Sequence, residues 1–263
     1  LRRLSTREDL RQQRFREALD RYRAEIATAL ISTTTIATPV PAEVCPDCLG
    51  LGWISPDVPV EDPLFGKLLP CDCTAPDRAA RLQRISGLTP DERSERLSHI
   101  ARTGGQTDVM LNAAQAFVLN PRAFLTVFGG SGNAKSLMLR AVVNECLDRQ
   151  IEAVYVNMKD LVDYVREAMR EDDSAVLRLQ RFKRVRVLAI DEFDKVKTSE
   201  WVRELETDVI DRRYRDGLSG LTGTVIAMNE SPRALPDHIQ SRLYDGRNIL
   251  INNTDQDLRS LMQ

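Results

Sequence analysis

Residues 124–136 restrict the fold more than any other stretch of this chain. The apolar run Phe124-Leu125-Thr126-Val127-Phe128 is followed by Gly129-Gly130-Ser131-Gly132-Asn133-Ala134-Lys135-Ser136. That order predicts a strand, a glycine-rich loop and a helix opening at Lys-Ser. Such a loop turns its backbone N–H groups inward around phosphate oxygens. Its lysine reaches the terminal phosphates and its hydroxyl ligates magnesium. The helix behind it contributes the positive end of its dipole. Gly129, Gly130, Ser131, Gly132, Asn133, Ala134, Lys135 and Ser136 are therefore the expected binding loop for ATP or ADP with Mg2+. The pattern departs from G-x-x-x-x-G-K-[ST] once, because Ala134 stands where a second glycine is usual. Glycine suits that place because the backbone approaches phosphate closely there. Alanine is the smallest departure, expected to weaken the site rather than abolish it. A glycine turn with no ligand is the alternative.

A second segment narrows the choice. Val185-Arg186-Val187-Leu188-Ala189-Ile190 reads as a mostly buried parallel strand, and it runs into Asp191-Glu192. An acid at the carboxyl end of such a strand can hold magnesium through water, and the next can polarise an attacking water. Asp191 and Glu192 are thus candidate catalytic residues, with Asp191 and Ser136 sharing the magnesium. The alternative is an acidic turn after a core strand.

From residue 108 onward, helix and strand alternate. Helices are expected over 108–118, 135–149, 158–170, 173–183 and 198–214, with strands at 124–128, 153–157, 185–190, 224–228 and 249–251. This alternation predicts an α/β domain, a parallel sheet flanked by helices. Strand 224–228 ends in Asn229, which can either cap a turn or hydrogen-bond the attacking water or terminal phosphate.

Four of the five cysteines cluster, Cys45 and Cys48 as C-x2-C, then Cys71 and Cys73 as C-x-C. Four thiolates in tetrahedral array suit structural Zn2+. Disulfides and free thiols are the alternatives, and a reducing, cytoplasmic setting favours metal. Cys146 reads as a small core residue, and His99 and His238 as ordinary surface or core positions. Residues 6–31 carry apolar side chains at Leu10, Phe15, Leu19, Tyr22, Ile26 and Leu30. Their spacing suits a helix with one apolar stripe, either packed on its own domain or binding a partner. The reading divides the chain into a helix and linker over 1–44, a four-cysteine zinc-binding module over 45–75, a helical connector over 76–105, and the α/β domain over 106–263. The connector reads as a helix pair broken at Gly87-Leu88-Thr89-Pro90.

The formal net charge of −2 gives no global signal for nucleic acid. Any DNA contact must be a local basic surface, for which Lys183, Arg184, Arg186, Arg212 and Arg213 are the candidates. No run approaches the ~18 apolar residues of a membrane span, so no membrane partner is expected.

The motif order from about 106 to 262 resembles the AAA+ ATPases of bacterial replicative helicase loaders, the DnaC/DnaI type, whose subfamily includes the IstB-like helpers of insertion-sequence transposition. The matching segments are Phe124–Leu139, the strand ending in Asp191-Glu192, Ser199-Glu200-Trp201, Ile210-Asp211-Arg212-Arg213-Tyr214, Ala227-Met228-Asn229, Ser241-Arg242-Leu243 and Asp257-Leu258-Arg259. The resemblance implies that Asn229 is the first sensor. It implies that Arg242 is an arginine finger reaching a neighbouring subunit's nucleotide, and Arg259 a second sensor acting in its own subunit. It further implies self-association through the ATP site, and as partners a hexameric replicative helicase and single-stranded DNA. The transposition helpers imply instead assembly on duplex DNA and recruitment of a transposase. The cysteine module resembles the zinc-bearing N-terminal domains of some loaders.

Overall fold

The computed structural model describes residues 45, 47–48, 51–55, 57–62, 65–170, 175–197 and 199–255. The helix read over 6–31 and the residue Arg259 lie outside them. The chain forms two compact units, Leu1–Cys73 and Thr74–Gln263.

In the first unit, strands β1 (Trp53–Ile54) and β2 (Leu69–Pro70) pair antiparallel, with Trp53 opposite Pro70. The Cys71 backbone N–H donates to Gly52 O at 2.8 Å, which continues the hairpin into the second cysteine pair.

The second unit opens with helix α1 (Ala75–Ile85). The sequence predicts a partner helix after the Gly87 break. The structure has two short 3-10 turns instead, Asp91–Ser94 and Leu97–His99. Their apolar residues Leu88, Leu97 and Ile100 are too widely and irregularly spaced for one helical stripe, yet all three are buried. The segment also covers a sheet edge. Tyr155 N–H donates to Ser86 O at 2.7 Å, on the edge strand β4 (Ala153–Asn157), and a Cβ on Gly87 would lie 2.2 Å from Tyr155 O.

Beyond the connector come α2 (Gln106–Leu119), β3 (Ala123–Phe128), α3 (Lys135–Asp148), then β4, α4 (Met158–Arg170), α5 (Ala175–Arg184), β5 (Val187–Asp191), α6 (Glu200–Leu218), β6 (Gly223–Met228), α7 (Asp237–Leu243) and β7 (Ile249–Asn252). Every predicted strand of the α/β domain is present. The five form one parallel sheet in the order β4-β5-β6-β3-β7. Strand alternation sorts the core into two layers. Leu125, Val127, Ala189 and Val225 face α2 and α3, where Cys146 is also buried. Phe124, Leu188, Ile190 and Ile226 face the side packed by α4 to α7. The result is a helix-sheet-helix sandwich with its strand ends aligned: Asn157 is opposite Asp191, and Phe128 is opposite both Met228 and Asn252.

Arg213 crosses the back of this sandwich. It lies on α6, is wholly buried, and does not face DNA as the sequence suggested. Lys183 is likewise buried and paired with Asp208. Arg184 and Arg212 remain exposed, Arg212 beside Asp216 at 2.6 Å.

Candidate active site

The carboxyl ends of neighbouring parallel strands deliver loops to one side of a sheet, which is where such folds bind ligands. Here that edge carries a cleft of about 340 Å³ lined by Ser131–Leu137, Asp191, Glu192, Met228 and Asn229. Its remaining wall is His99, Ile100, Ala101 and Arg140. The structure thus brings Ser131, Gly132, Asn133, Ala134, Lys135, Ser136, Asp191, Glu192 and Asn229 to one place from three separate strand ends. His99, read from the sequence as a bystander, belongs to this wall. Nothing local marks it, because it enters the cleft through the irregular connector.

The loop's backbone explains its composition. Gly129 has φ +134°, and a Cβ there would lie 2.0 Å from Asn253 O. Ala134 sits just before α3 with φ 60° and ψ 17°, in the left-handed region where glycine is unstrained. The Ala134 carbonyl nevertheless accepts the Met138 N–H at 2.9 Å, so α3 starts in register. Lys135 Nζ donates to Gly129 O (2.7 Å), Gly130 O (2.5 Å) and Asn133 Oδ1 (2.8 Å). Burial pulls its ammonium pKa down, against the opposing pull of Asp191 and Asp194. An anion entering the loop would offer this lysine new oxygens at the end of its reach.

The two acids have different settings. Asp191 is buried at the end of β5, with Oδ2 accepting from Tyr155 OH (2.9 Å) and Oδ1 from the Glu192 N–H (2.8 Å). Burial, then the charge of Asp191, pushes the Tyr155 phenol well above its ordinary range, so it stays a donor. Glu192 is exposed at φ 50°, an uncommon backbone state at a position facing the cleft. Its Oε2 accepts from Asn157 Nδ2 at 2.7 Å. Asp194 accepts the backbone N–H groups of Asn229 (3.0 Å) and Glu230 (2.9 Å), which fixes the β6 loop against the β5 loop. Tyr155, in the middle of β4, and Asn157 and Asp194, at or shortly after strand ends, carried no signal of a site in the sequence.

Arg242 does not line this cleft. It lies on α7, ion-paired with Asp211, 5.9 Å from the Tyr214 ring centroid, and donating to His238 O at 2.6 Å.

In the smaller unit, one Sγ from each of Cys45, Cys48, Cys71 and Cys73 lies within 4.8 Å of the others. Cys45 to Cys71 is 3.7 Å and Cys48 to Cys73 is 3.5 Å, and none is in a disulfide. A tetrahedral zinc with Zn–S bonds of ~2.3 Å requires S···S separations of ~3.8 Å, so the donor set fits. The Cys48 and Cys71 thiols, together with burial, push the Cys73 thiol far above its ordinary value. A cation bound among the four sulfurs would compensate the Cys73 thiolate, which is what a metal does.

Comparison with known proteins follows the same lines. Residues 125–247 match the model of the ATPase family associated with various cellular activities, AAA. No curated protein matches the sequence significantly. The fold is similar to the DnaC helicase loader (22% identity, TM-score 0.53, covering 62% of this chain and 99% of that one). It is similar to DnaI (20%, 0.53, covering 63% and 95%). It is also similar to the replication initiator DnaA bound to AMPPCP and single-stranded DNA (18%, 0.55), where it covers 63% of this chain and spans half of the DnaA chain. Among the described residues no helix is long and apolar enough to cross a membrane.

Proposed function

We propose that the chain, whose residues 125–247 match the AAA ATPase family model, loads a hexameric replicative helicase onto single-stranded DNA in replication initiation. The observation that carries this reading is the fit to the DnaC helicase loader over 99% of that chain. The four-cysteine module that precedes the ATPase domain in the sequence supports it, as does the single-stranded DNA held by the DnaA relative.

The assigned roles follow the cleft. The loop Gly129–Ser136 cradles the phosphates of ATP, and Lys135 exchanges its three loop oxygens for phosphate oxygens. Bound magnesium neutralises phosphate charge, and Ser136 and Asp191 hold it. Glu192, steadied by Asn157, polarises the attacking water, while Asn229 orients it. Arg259 acts on the nucleotide of its own subunit and Arg242 on that of a neighbour. To reach a neighbour, Arg242 leaves Asp211 and Tyr214. An arginine finger raises turnover by about 10³–10⁵-fold, so the isolated subunit hydrolyses ATP slowly. Cys45, Cys48, Cys71 and Cys73 hold a structural zinc, and residues 1–75 grip the helicase. Arg184 and Arg212, both exposed, remain as DNA-facing candidates, whereas Arg186 is half-buried.

Native mass spectrometry of the protein with its host's replicative helicase, with and without ATP, tests the reading. A defined complex that is lost on removing residues 1–75 is expected. No complex, with ATP-dependent assembly on duplex DNA, overturns it in favour of the transposition helper. Within the site, Lys135→Ala abolishes nucleotide affinity, whereas Arg242→Ala spares affinity and loses assembly-stimulated turnover. Normal turnover in the Arg242 variant sinks the shared site.

A further inference from the structure

We propose that Asn253 and Asp255 are positioning residues of the nucleotide site, forming a strap that sets the phosphate loop's resting shape and ties it to the root of the C-terminal segment. The proposal rests on reading the cleft as a nucleotide site.

Asn253 follows β7 directly and is wholly buried. Each of its polar groups is engaged. Its backbone N–H donates to Phe128 O at 2.7 Å, at the end of β3. Its carbonyl accepts from Asn133 Nδ2 at 2.8 Å, and its own Nδ2 donates back to Asn133 O at 3.3 Å. Its Oδ1 accepts the Asp255 N–H at 3.1 Å. Because Asn133 spends its amide N–H on Asn253, its Oδ1 is turned to Lys135, which donates to it. Asn253 therefore sets the partner of the lysine without touching it. The same carbonyl leaves no room for a side chain at Gly129, so Asn253 packs against the loop at Gly129 as well as bonding it at Asn133.

Asp255 anchors the strap from the other side. Its carboxylate accepts the N–H groups of Gln106 (3.0 Å) and Thr107 (2.7 Å) and the Thr103 hydroxyl (3.0 Å). It caps the start of α2 in place of the residue there, Gly105, whose Cβ would lie 2.5 Å from Asp255 Oδ1. These donors, Thr107 first, hold the Asp255 carboxyl down at about 2, so it is an anion wherever the protein is folded near neutral pH. The chain then runs from Asp255 into the segment bearing Arg259. The loop and Asp255 are thus joined through Asn253 by one continuous set of hydrogen bonds.

The test uses the full chain, a fluorescent ATP analogue for Kd, steady-state turnover, and thermal melting without nucleotide. Asn133→Ala and Asn253→Ala are each expected to raise Kd about tenfold, and the double variant also about tenfold, because they remove the two reciprocal bonds of one contact, Asn133 Nδ2 to the Asn253 carbonyl and Asn253 Nδ2 to the Asn133 carbonyl, and losing either frees the loop. KM rises with Kd while kcat stays within about twofold, since loop shape at rest governs binding. Asp255→Ala follows the same split, and Asp255→Asn, which keeps one acceptor oxygen, recovers part of it. A hundredfold loss in the double variant, or folded single variants with wild-type Kd, overturns the proposal while leaving the nucleotide site intact. Wild-type protein that binds no ATP overturns both. Should Asn253→Ala not fold, Asn253→Ser with Asn133→Ala forms the same cycle and is read the same way.

Discussion

Arg213 offers the sharpest test of the packing argument. Its guanidinium donates to Thr224 Oγ1 (2.7 Å), Phe182 O (2.8 Å), Val185 O (3.0 Å) and Gly223 O (2.6 Å). It thereby staples α6 to the end of α5 and the start of β6, at the edge of the sheet away from the cleft. Burial pulls the group down to about 9, still above neutral pH, so it is held as a cation by carbonyl dipoles. Arg213→Met keeps the length and removes the donors. Three buried carbonyls then lose a partner, at ~1–3 kcal/mol each, partly offset by no longer desolvating a cation. A net loss of about 3 kcal/mol follows, in line with breaking other buried charge sites. For a domain of this size that lowers Tm by roughly 6–12 °C. Arg213→Lys keeps the charge but not the planar fork, and is expected to fall between the two. Circular-dichroism melts decide the matter, with nucleotide Kd measured well below the melting range. The expected outcome is a large fall in Tm with Kd unchanged. A Met variant melting within about 2 °C of wild type, particularly one that has lost DNA binding, would refute the staple and return Arg213 to a DNA-facing role.

Two other substitutions test local physics. Glu206 is buried on α6, and desolvation, opposed by Arg203, raises its carboxyl to about 7 from 4.5. The folded state thus binds the proton more tightly than the unfolded one, so stability is lost as pH rises from 4.5 through 7. Glu206→Gln should gain about 2 kcal/mol at pH 8 and nothing at pH 4.5, read as Tm against pH; equal gains at both pH values contradict the assignment. Ala134→Gly relieves a left-handed residue at a gain of ~1–2 kcal/mol, and loses ~0.5–1 kcal/mol to the freer unfolded chain. Tm should rise by no more than about 6 °C while ATP affinity rises by at most about fivefold. A weaker site in the glycine variant would show that Ala134 serves the loop rather than straining it.

The parallel sheet was legible because helix and strand alternate so regularly from residue 108 and the strands are apolar on both faces. Phe124 and Leu125 go to opposite layers, and the Val187–Asp191 strand is apolar until its acid. That the glycine-rich loop and Asp191-Glu192 follow strand ends was legible because each is a local strand-to-turn pattern. What escaped was non-local or irregular. The cleft wall at His99–Ala101 rides on 3-10 turns whose buried residues follow no helical or strand period. Helix α7 is only seven residues long and carries Arg242 in its last turn, too short to show an amphipathic stripe. Asn253 meets its loop partner across 120 positions, so neither residue marks the other in the sequence. Arg212 and Arg213 look alike side by side, yet one is exposed and the other wholly buried, because α6 turns the second toward the sheet.

These differences have one geometric source. All five strands are parallel, and their carboxyl ends align within the register that pairs Asn157 with Asp191 and Phe128 with Met228 and Asn252. The strand ends and the residues just beyond them therefore deliver Asn157, Asp191, Asn229, Asn253 and the glycine-rich loop to one edge. The opposite edge holds the chain together through groups such as Arg213. A one-residue slip of any strand would turn its side chains to the other layer and withdraw its polar end from the cleft. Stability and affinity are thus separable by position along the strands. Substitutions at the amino edge should move Tm with little change in Kd. Those at the carboxyl edge, in Asn133 or Asn253, should move Kd by more than their Tm loss accounts for. Were Arg213→Met and Asn253→Ala to shift both quantities in the same proportion, the sheet would be acting as a single cooperative block, and the strap would have no role distinct from packing.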